Sequence, residues 1–380
     1  MAITCPRCGA EFDATLFQFG HRVRCQCGAE VAYPGTDERA GHVEGPGKHE
    51  TISHEDRCIG CLLGTACGDI LGAAVEGAAV SEIRSQYGEV RNFKDVGRGF
   101  GCYTDDTQMT LALLASLVEQ GSVDAAHVSA KYAEFYEPWR GYGGAAHRVM
   151  RLLADGGDYR GTGRVQFPEG SFGNGGAMRI APVGLAYRHA PAAVLMDAVE
   201  DALRCTHVHP EAIDGALVQA KAVAMAATAE PERFDPAGMI ETLATVCQTE
   251  TMQAKLTALA GALRQNEEDI FVIARVGNGI RASQAVAAAL WAFLRYWQQP
   301  EECIIRAVNF GGDTDTIGAM AGALVGTLYG NAWMPARWYD NIENGPRGRD
   351  EIVALARRLA ALDVRTSDSS DDGTFHQTRC

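Results

Sequence analysis

The chain lacks a surplus of positive charge: 34 Lys and Arg stand against 48 Asp and Glu, a formal net charge of −14. That balance argues against a general nucleic-acid binder, because binding phosphates requires clustered Lys and Arg. No apolar run reaches the roughly 18 residues of a membrane span without a charged or strongly polar break. The start, MAITCPRCGAEF, has neither the basic nor the apolar stretch of an export signal. These absences predict a cytoplasmic protein with no membrane partner, whose 12 cysteines are thiols or metal ligands rather than disulfides. Aromatic residues are few as well, at 8%, so a core must come mainly from Ala, Leu, Val and Gly. With 380 residues and 47% hydrophobic content, the chain is long and apolar enough to build one.

Composition divides the chain. Residues 1–33 hold four closely spaced cysteines. Residues 34–56 are rich in Gly, Pro, His and charge, carry no apolar period, and read as a linker. Residues 57–363 form the main domain, and residues 364–380, ending SDSSDDGTFHQTRC, have the composition of a disordered tail. Apolar residues recur at helical spacing in RCIGCLLGTACGDILGAAVEG, TQMTLALLASLVEQG, HPEAIDGALVQAKAVAMAATA, RASQAVAAALWAFLRYW and DTIGAMAGALVGTLYG. Alternating strand patterns are absent there, so the expectation is an all-α, multi-helix domain. Its many Gly and Ala residues would let helices approach closely.

The first cysteines read Cys5-Pro-Arg-Cys8, then Cys25-Gln-Cys27. A CxxC followed by Gly turns backbone N–H groups toward the sulfurs of a tetrahedral site. A segment with no core of its own gains folding energy from such a metal. The expectation is a small zinc ribbon with one structural Zn²⁺ on Cys5, Cys8, Cys25 and Cys27. The second half is CxC rather than CxxC, which leaves His21 open as a substitute ligand. Cys58 and Cys61 also match CxxC, but they lie in an apolar helix and read as small buried residues.

Two acidic clusters carry the chemistry: Thr104-Asp105-Asp106-Thr107 and Asp313-Thr314-Asp315-Thr316. Each follows a glycine-containing segment and opens an apolar helix. Helix N-capping explains one such cluster. Two are harder to dismiss, because carboxylates near a core repel each other unless a cation compensates. Carboxylates with Thr hydroxyls and water are hard oxygen ligands suited to Mg²⁺ or Mn²⁺. If the clusters meet, they hold two ions a few ångströms apart. Ser171-Phe-Gly-Asn-Gly-Gly-Ala-Met-Arg179 is a glycine-rich loop of the kind whose N–H groups bind phosphate. Phe167 and Phe172 flank its start and can stack on a base or pack in a core. Thr206-His207-Val-His209 precedes another helix, and its imidazoles fit capping, metal binding or a phosphate contact. Asp69 and Glu76, seven apart in GDILGAAVE, are expected on one face of a helix.

Together these segments resemble the ADP-ribosylglycohydrolase family. The matching runs are GCLLGTACGDILGAAVE, YTDDTQMTLALLASL, RGYGGAAHRV, SFGNGGAMRIAPVGLAY, CTHVHPEAI and AVNFGGDTDTIGAMAGALVGTLYG, and they cover almost all of residues 57–363. The ribbon lies outside the usual family domain. The resemblance implies an all-helical fold around a cleft holding two Mg²⁺ (Mn²⁺ also suits the ligands). It implies hydrolysis of the bond between the anomeric carbon of ADP-ribose and an acceptor on a protein. By motif, Thr104, Asp105, Asp106, Asp313, Asp315 and Thr316 match metal ligands. Glu76 matches a catalytic glutamate, as base or acid, with Asp315 beside it in the catalytic centre. The loop Ser171, Phe172, Gly173, Asn174 and Gly175 matches a diphosphate cradle. Phe167 and Phe172 match an adenine clasp, and His207, Gly141, Tyr142 and Gly143 match the nucleotide cleft. Serine-type or O-acetyl-ADP-ribose substrates are favoured over arginine-linked ones. A non-catalytic, ADP-ribose-binding relative is the reading of another class. A monomer is expected.

Overall fold

The computed structural model describes residues 51–95 and 97–364, and nearer the N-terminus residues 2–4, 11–13, 23–24, 27 and 30–31. Two compact units divide between Thr51 and Ile52. In the first, β1 (Ala2–Thr4) pairs antiparallel with β2 (Glu11–Asp13), with Ile3 opposite Phe12. β3 (Val23–Arg24) pairs antiparallel with β4 (Glu30–Val31). By sequence, Cys5 and Cys8 fall between β1 and β2, and Cys25 and Cys27 between β3 and β4. Cys5, Cys8, His21 and Cys25 lie outside the described residues, as do positions 34–50 of the expected linker and 365–380 of the expected tail.

The second unit is helical. Its order is α1 (His54–Gly72), α2 (Val80–Tyr87), α3 (Asp105–Gln120), α4 (Ala125–Phe135), α5 (Gly144–Ala154), α6 (Tyr159–Thr162), α7 (Ala181–Ala186), α8 (Ala192–Leu203) and α9 (Pro210–Thr228). There follow α10 (Pro236–Val246), α11 (Glu250–Gln265), α12 (Asp269–Val276), α13 (Ala282–Tyr296), α14 (Pro300–Val308), α15 (Thr314–Tyr329), α16 (Ala336–Tyr339) and α17 (Arg349–Ala360). No helix among the described residues is long and apolar enough to cross a membrane. The unit starts ahead of residue 57: Ser53 caps α1, its Oγ accepting from Asp56 N at 3.0 Å, with Glu55 and Asp56 in the first turn. The signal for that start is polar capping chemistry, which composition alone reads as linker.

The packing of α1 on α15 positions the site. Gly60, Gly64 and Gly68 of α1 face Gly326, Gly322 and Gly318 of α15, so the helices run antiparallel. A Cβ on Gly64 would sit 2.2 Å from the Gly322 carbonyl oxygen, and one on Gly68 1.9 Å from that of Gly318. Backbone therefore lies on backbone along the whole seam. At its end Thr314 Oγ1 donates to the Gly72 carbonyl at 2.8 Å. The C-terminal end of α1 and the N-terminal end of α15 thus meet. α15 is buried on all sides, between α1, α9, α13 and α14.

Candidate active site

Asp69 is fully buried in the last turn of α1. Its carboxylate accepts from Thr104 N at 3.0 Å, Thr107 N at 3.0 Å and Thr107 Oγ1 at 2.5 Å. One acid of α1 thereby caps α3 and satisfies N–H groups orphaned at its start. Thr104 is the N-cap residue, and Asp105 and Asp106 form the first turn. Asp106 Oδ2 accepts from Thr104 Oγ1 at 3.3 Å, but its Oδ1 is buried with no hydrogen-bond partner among the described residues.

Helix α1 ends at Gly72, so Asp69 and Glu76 do not share a helical face as the spacing suggested. Residues 73–77 turn instead, and the turn is pinned to the segment before α15. Gly77 N donates to the Gly312 carbonyl at 2.8 Å, and Gly312 N to the Ala78 carbonyl at 3.0 Å. Gly312 has φ +74°, and a Cβ there would lie 2.2 Å from the Asn278 carbonyl oxygen, so only glycine fits. The same carbonyl accepts from Asp313 N at 2.8 Å. Carboxylate oxygens of Glu76, Asp313 and Asp315 consequently fall within 4.8 Å of one another.

The glycine loop joins the acids through Asn174. Its Nδ2 donates to Asp313 Oδ2 at 2.5 Å, and its backbone N to the Ile280 carbonyl at 2.9 Å. Gly173 bridges Arg281, whose guanidinium lies 4.4 Å from the Phe172 ring centroid. Arg179 is wholly buried and holds the loop from behind. It donates to Tyr132 Oη at 2.7 Å, to Thr206 Oγ1 at 2.6 Å and to the Gly175 carbonyl. His207 Nδ1 lies 2.9 Å from Thr206 Oγ1, and a Cβ on Gly175 would meet its ring at 2.7 Å. A cleft of about 420 Å³ results.

Electrostatics single out the acids. Burial, then the Asp69 charge, pushes the Asp105 carboxyl up to about 7. Burial raises Asp106 and Asp315 well above the carboxylate range; the charges of Asp69, Asp105 and Asp313 raise Asp106 further, and those of Asp106 and Asp313 raise Asp315. Glu76 is raised by desolvation and by Asp313, opposed by Arg98. Burial, then the Arg179 charge, lowers His207 to about 3, so its imidazole is neutral. Crowded carboxylates and an orphaned buried carboxylate oxygen make a donor set that fits hard divalent cations.

A prediction follows for the metal-free protein. A carboxyl raised on folding binds protons more tightly in the native than in the unfolded chain. Stability therefore falls as pH rises from about 4 to about 7, the interval between the usual Asp value and that of Asp105. Cations that bind the ionised acids offset that loss. Adding Mg²⁺ or Mn²⁺ at about 100 times its Kd should raise Tm by about 5 °C at pH 8 and far less at pH 5. Equal shifts at both values, read by scanning calorimetry, would contradict cation binding by these acids.

Most residues singled out from the sequence meet in the cleft. Glu76, Asp105, Asp106, Asp313, Asp315 and Thr316 line it, with Gly141, Gly143, Phe167, Ser171, Phe172, Gly173, Asn174, Gly175 and His207. Thr104 and Tyr142 are not lining residues. Thr104 is buried under Asp69, and Tyr142 is buried with its hydroxyl donating to Gln108 Oε1 at 2.7 Å. Gln166, Met178, Arg179, Thr206 and Ile280 line the cleft without having been assigned a role from the sequence. Arg179 and Thr206 sit in motifs already singled out. Ile280, 67% exposed at the lip, carries no motif and reaches the loop through its carbonyl, which accepts from Asn174 N.

The family model described as ADP-ribosylglycohydrolase matches residues 50–368. The chain is 30% identical over 351 residues to the human protein named ADP-ribosylhydrolase ARH3, covering 80% of this chain and 92% of that one. It is 31% identical over 328 residues to ADP-ribosyl-[dinitrogen reductase] glycohydrolase of Rhodospirillum rubrum, covering 83% and 99%. A solved structure described as an ADP-ribosylglycohydrolase-related protein complex superposes with a TM-score of 0.63 at 30% identity, covering 82% of this chain and 99% of that one.

Proposed function

The chain belongs to the ADP-ribosylglycohydrolase family, and we propose that it hydrolyses the bond between the anomeric carbon of ADP-ribose and an acceptor on a modified protein. The observation that carries this reading is the convergence of Glu76, Asp313 and Asp315 within 4.8 Å, in the same cleft as Asp105 and Asp106. Asp105, Asp106, Asp313, Asp315 and Thr316 of the cleft, with Thr104 behind them bonded to Asp106, would hold two divalent cations, Mg²⁺ or Mn²⁺. Bound there, such ions supply Lewis acidity and balance charge beside the anomeric carbon.

The rest of the work falls to side chains and backbone. The glycines of the Gly173–Gly175 loop let the diphosphate approach bare backbone, and neutral His207 packs behind the loop as a hydrogen-bonding group rather than a cation. Phe167 and Phe172, exposed at the lip, offer apolar faces to the adenine. Departure of the acceptor builds oxocarbenium character on the ribose, which a cleft of carboxylates stabilises. Glu76, exposed and with its carboxyl raised, is placed to exchange a proton with water or with the leaving acceptor atom. The helix-capping role of Asp69 makes it a positioning residue for Asp105 and Asp106.

A serine-type or O-acetyl-ADP-ribose acceptor is favoured by the likeness of the Glu76 segment and the SFGNGGAMR loop to those enzymes. The similarity to a dinitrogen reductase glycohydrolase supports arginine as the second reading. Retention of every acid argues against a non-catalytic relative. The cysteine pairs between the strands of each N-terminal hairpin support a structural zinc ribbon there.

The test is release of free ADP-ribose from matched Ser- and Arg-ADP-ribosylated peptides, with Mg²⁺ and with excess chelator. Metal-dependent release from a peptide is the expected result. Undiminished release in chelator would remove the cations from the reading, and no release from either would remove the activity.

A further inference from the structure

Arg98 lies in the loop between α2 and α3, half-buried. Among the described residues it makes neither a hydrogen bond nor an ion pair. Its guanidinium lies against the cleft wall at Gly141, where a Cβ would come within 2.7 Å of Nη1 and 2.9 Å of Nη2. Gly141 has φ +98°, a conformation that keeps this position bare and leaves the guanidinium room. By contrast, Arg140 next to Gly141 is buried and ion-paired to Glu137 and Glu343, and Arg179 behind the glycine loop is bonded throughout. Arg98 is also the cation whose charge acts on Glu76.

An acceptor departs from the anomeric carbon, at the acids. Asp106 and Asp315 are buried, whereas Glu76 is exposed, so a route from the acids past Glu76 leads to solvent. An acceptor on that route meets the field of an unpaired guanidinium. We propose that Arg98 selects the acceptor by charge, admitting neutral, oxygen-linked acceptors such as serine and disfavouring the cationic guanidinium of an arginine-linked one. This inference rests on the hydrolase reading above and names its substrate class. A like charge close to a cationic substrate is a repulsive specificity element, costing the wrong substrate more than it helps the right one.

The test compares kcat/KM for Ser- and Arg-ADP-ribosylated peptides of otherwise identical sequence, with Mg²⁺ present. Wild-type protein is expected to prefer the serine peptide. Arg98→Ala should narrow the serine-to-arginine ratio by about 5-fold, and Arg98→Glu by about 20-fold, as expected for a unit charge several ångströms away in a partly solvated site. Arg98→Lys should keep the ratio within about 2-fold, which a purely steric role would not predict. Raising the salt to about 0.5 M should shrink the wild-type preference. A wild-type preference for the arginine peptide, or an unmoved ratio in active Arg98→Ala and Arg98→Glu proteins, would overturn the inference while leaving the hydrolase reading standing. No release by the wild type from either peptide would overturn both.

Discussion

Asp315→Asn is expected to lower kcat for ADP-ribose release by about 10³-fold, the scale of removing a preorganised charge from a reacting centre. The substitution keeps the shape of the side chain. It also keeps an oxygen to accept from Thr316 N, a bond 2.9 Å long in the native protein. What it removes is an ionisable carboxyl whose charge is disfavoured first by burial and then by repulsion from Asp106, Asp313 and Glu76. Without metal the variant should therefore melt no lower than the wild type, and higher above pH 7, where the native acids are most fully charged. The added Mg²⁺ that stabilises the wild type should stabilise the variant less. Lost activity with an unchanged or raised metal-free Tm is the signature of an acid kept for function at a cost in stability. A variant that melts lower in the absence of metal, or one that keeps most of its turnover, would contradict this role.

Gly64→Ala should destabilise the helical unit by roughly 3 kcal/mol, seen as a Tm lower by about 6 °C or more. Two terms compete. Alanine is better than glycine inside a helix by about 0.5–1 kcal/mol. Against that, the new Cβ would lie 2.2 Å from the Gly322 carbonyl oxygen and 2.8 Å from its carbon. Both atoms belong to the backbone of a buried helix and have no rotamer by which to retreat, so overpacking wins. Gly261→Ala in α11 is the control, because nothing lies within 4 Å of its Cβ position. Only the propensity term acts there, and a gain of about 0.5–1 kcal/mol is expected. If Gly64→Ala proved as benign as Gly261→Ala, the close seam between α1 and α15 would be wrong. The substitution should also lower activity, since the same seam carries Asp69 to α3 and Thr314 to Gly72.

Much of this was legible in the chain. Glycines at every fourth position in GCLLGTACGDILG and in IGAMAGALVGTLYG announce helices with a bare stripe. Thr and Asp at the starts of TDDTQMTLALL and DTDTIGAMAG announce capped N-termini. Both are local properties, readable because each depends on residues within a few positions of one another. The seven-residue spacing of Asp69 and Glu76 misled for the same reason. Periodicity carried the helix through, whereas α1 ends at Gly72, where Thr314 closes the seam.

By itself, then, the amino-acid sequence determined the helical class, the two acid-led helices and the residue types able to hold a hard cation. Only the tertiary structure decided which of those acids face one another. Asp69 became the support of α3, while Glu76 was drawn across to Asp313 and Asp315 by the paired bonds of Gly77, Ala78 and Gly312. Ile280 likewise joined the cleft through its bond to Asn174, and Arg98 came to lie against Gly141 of the cleft wall, residues distant from them in the chain. Capping and helical period act over one or two turns and are written in neighbouring residues. Distances between carboxylates on different elements are set by how closely whole helices pack, and that depends on the core as a whole.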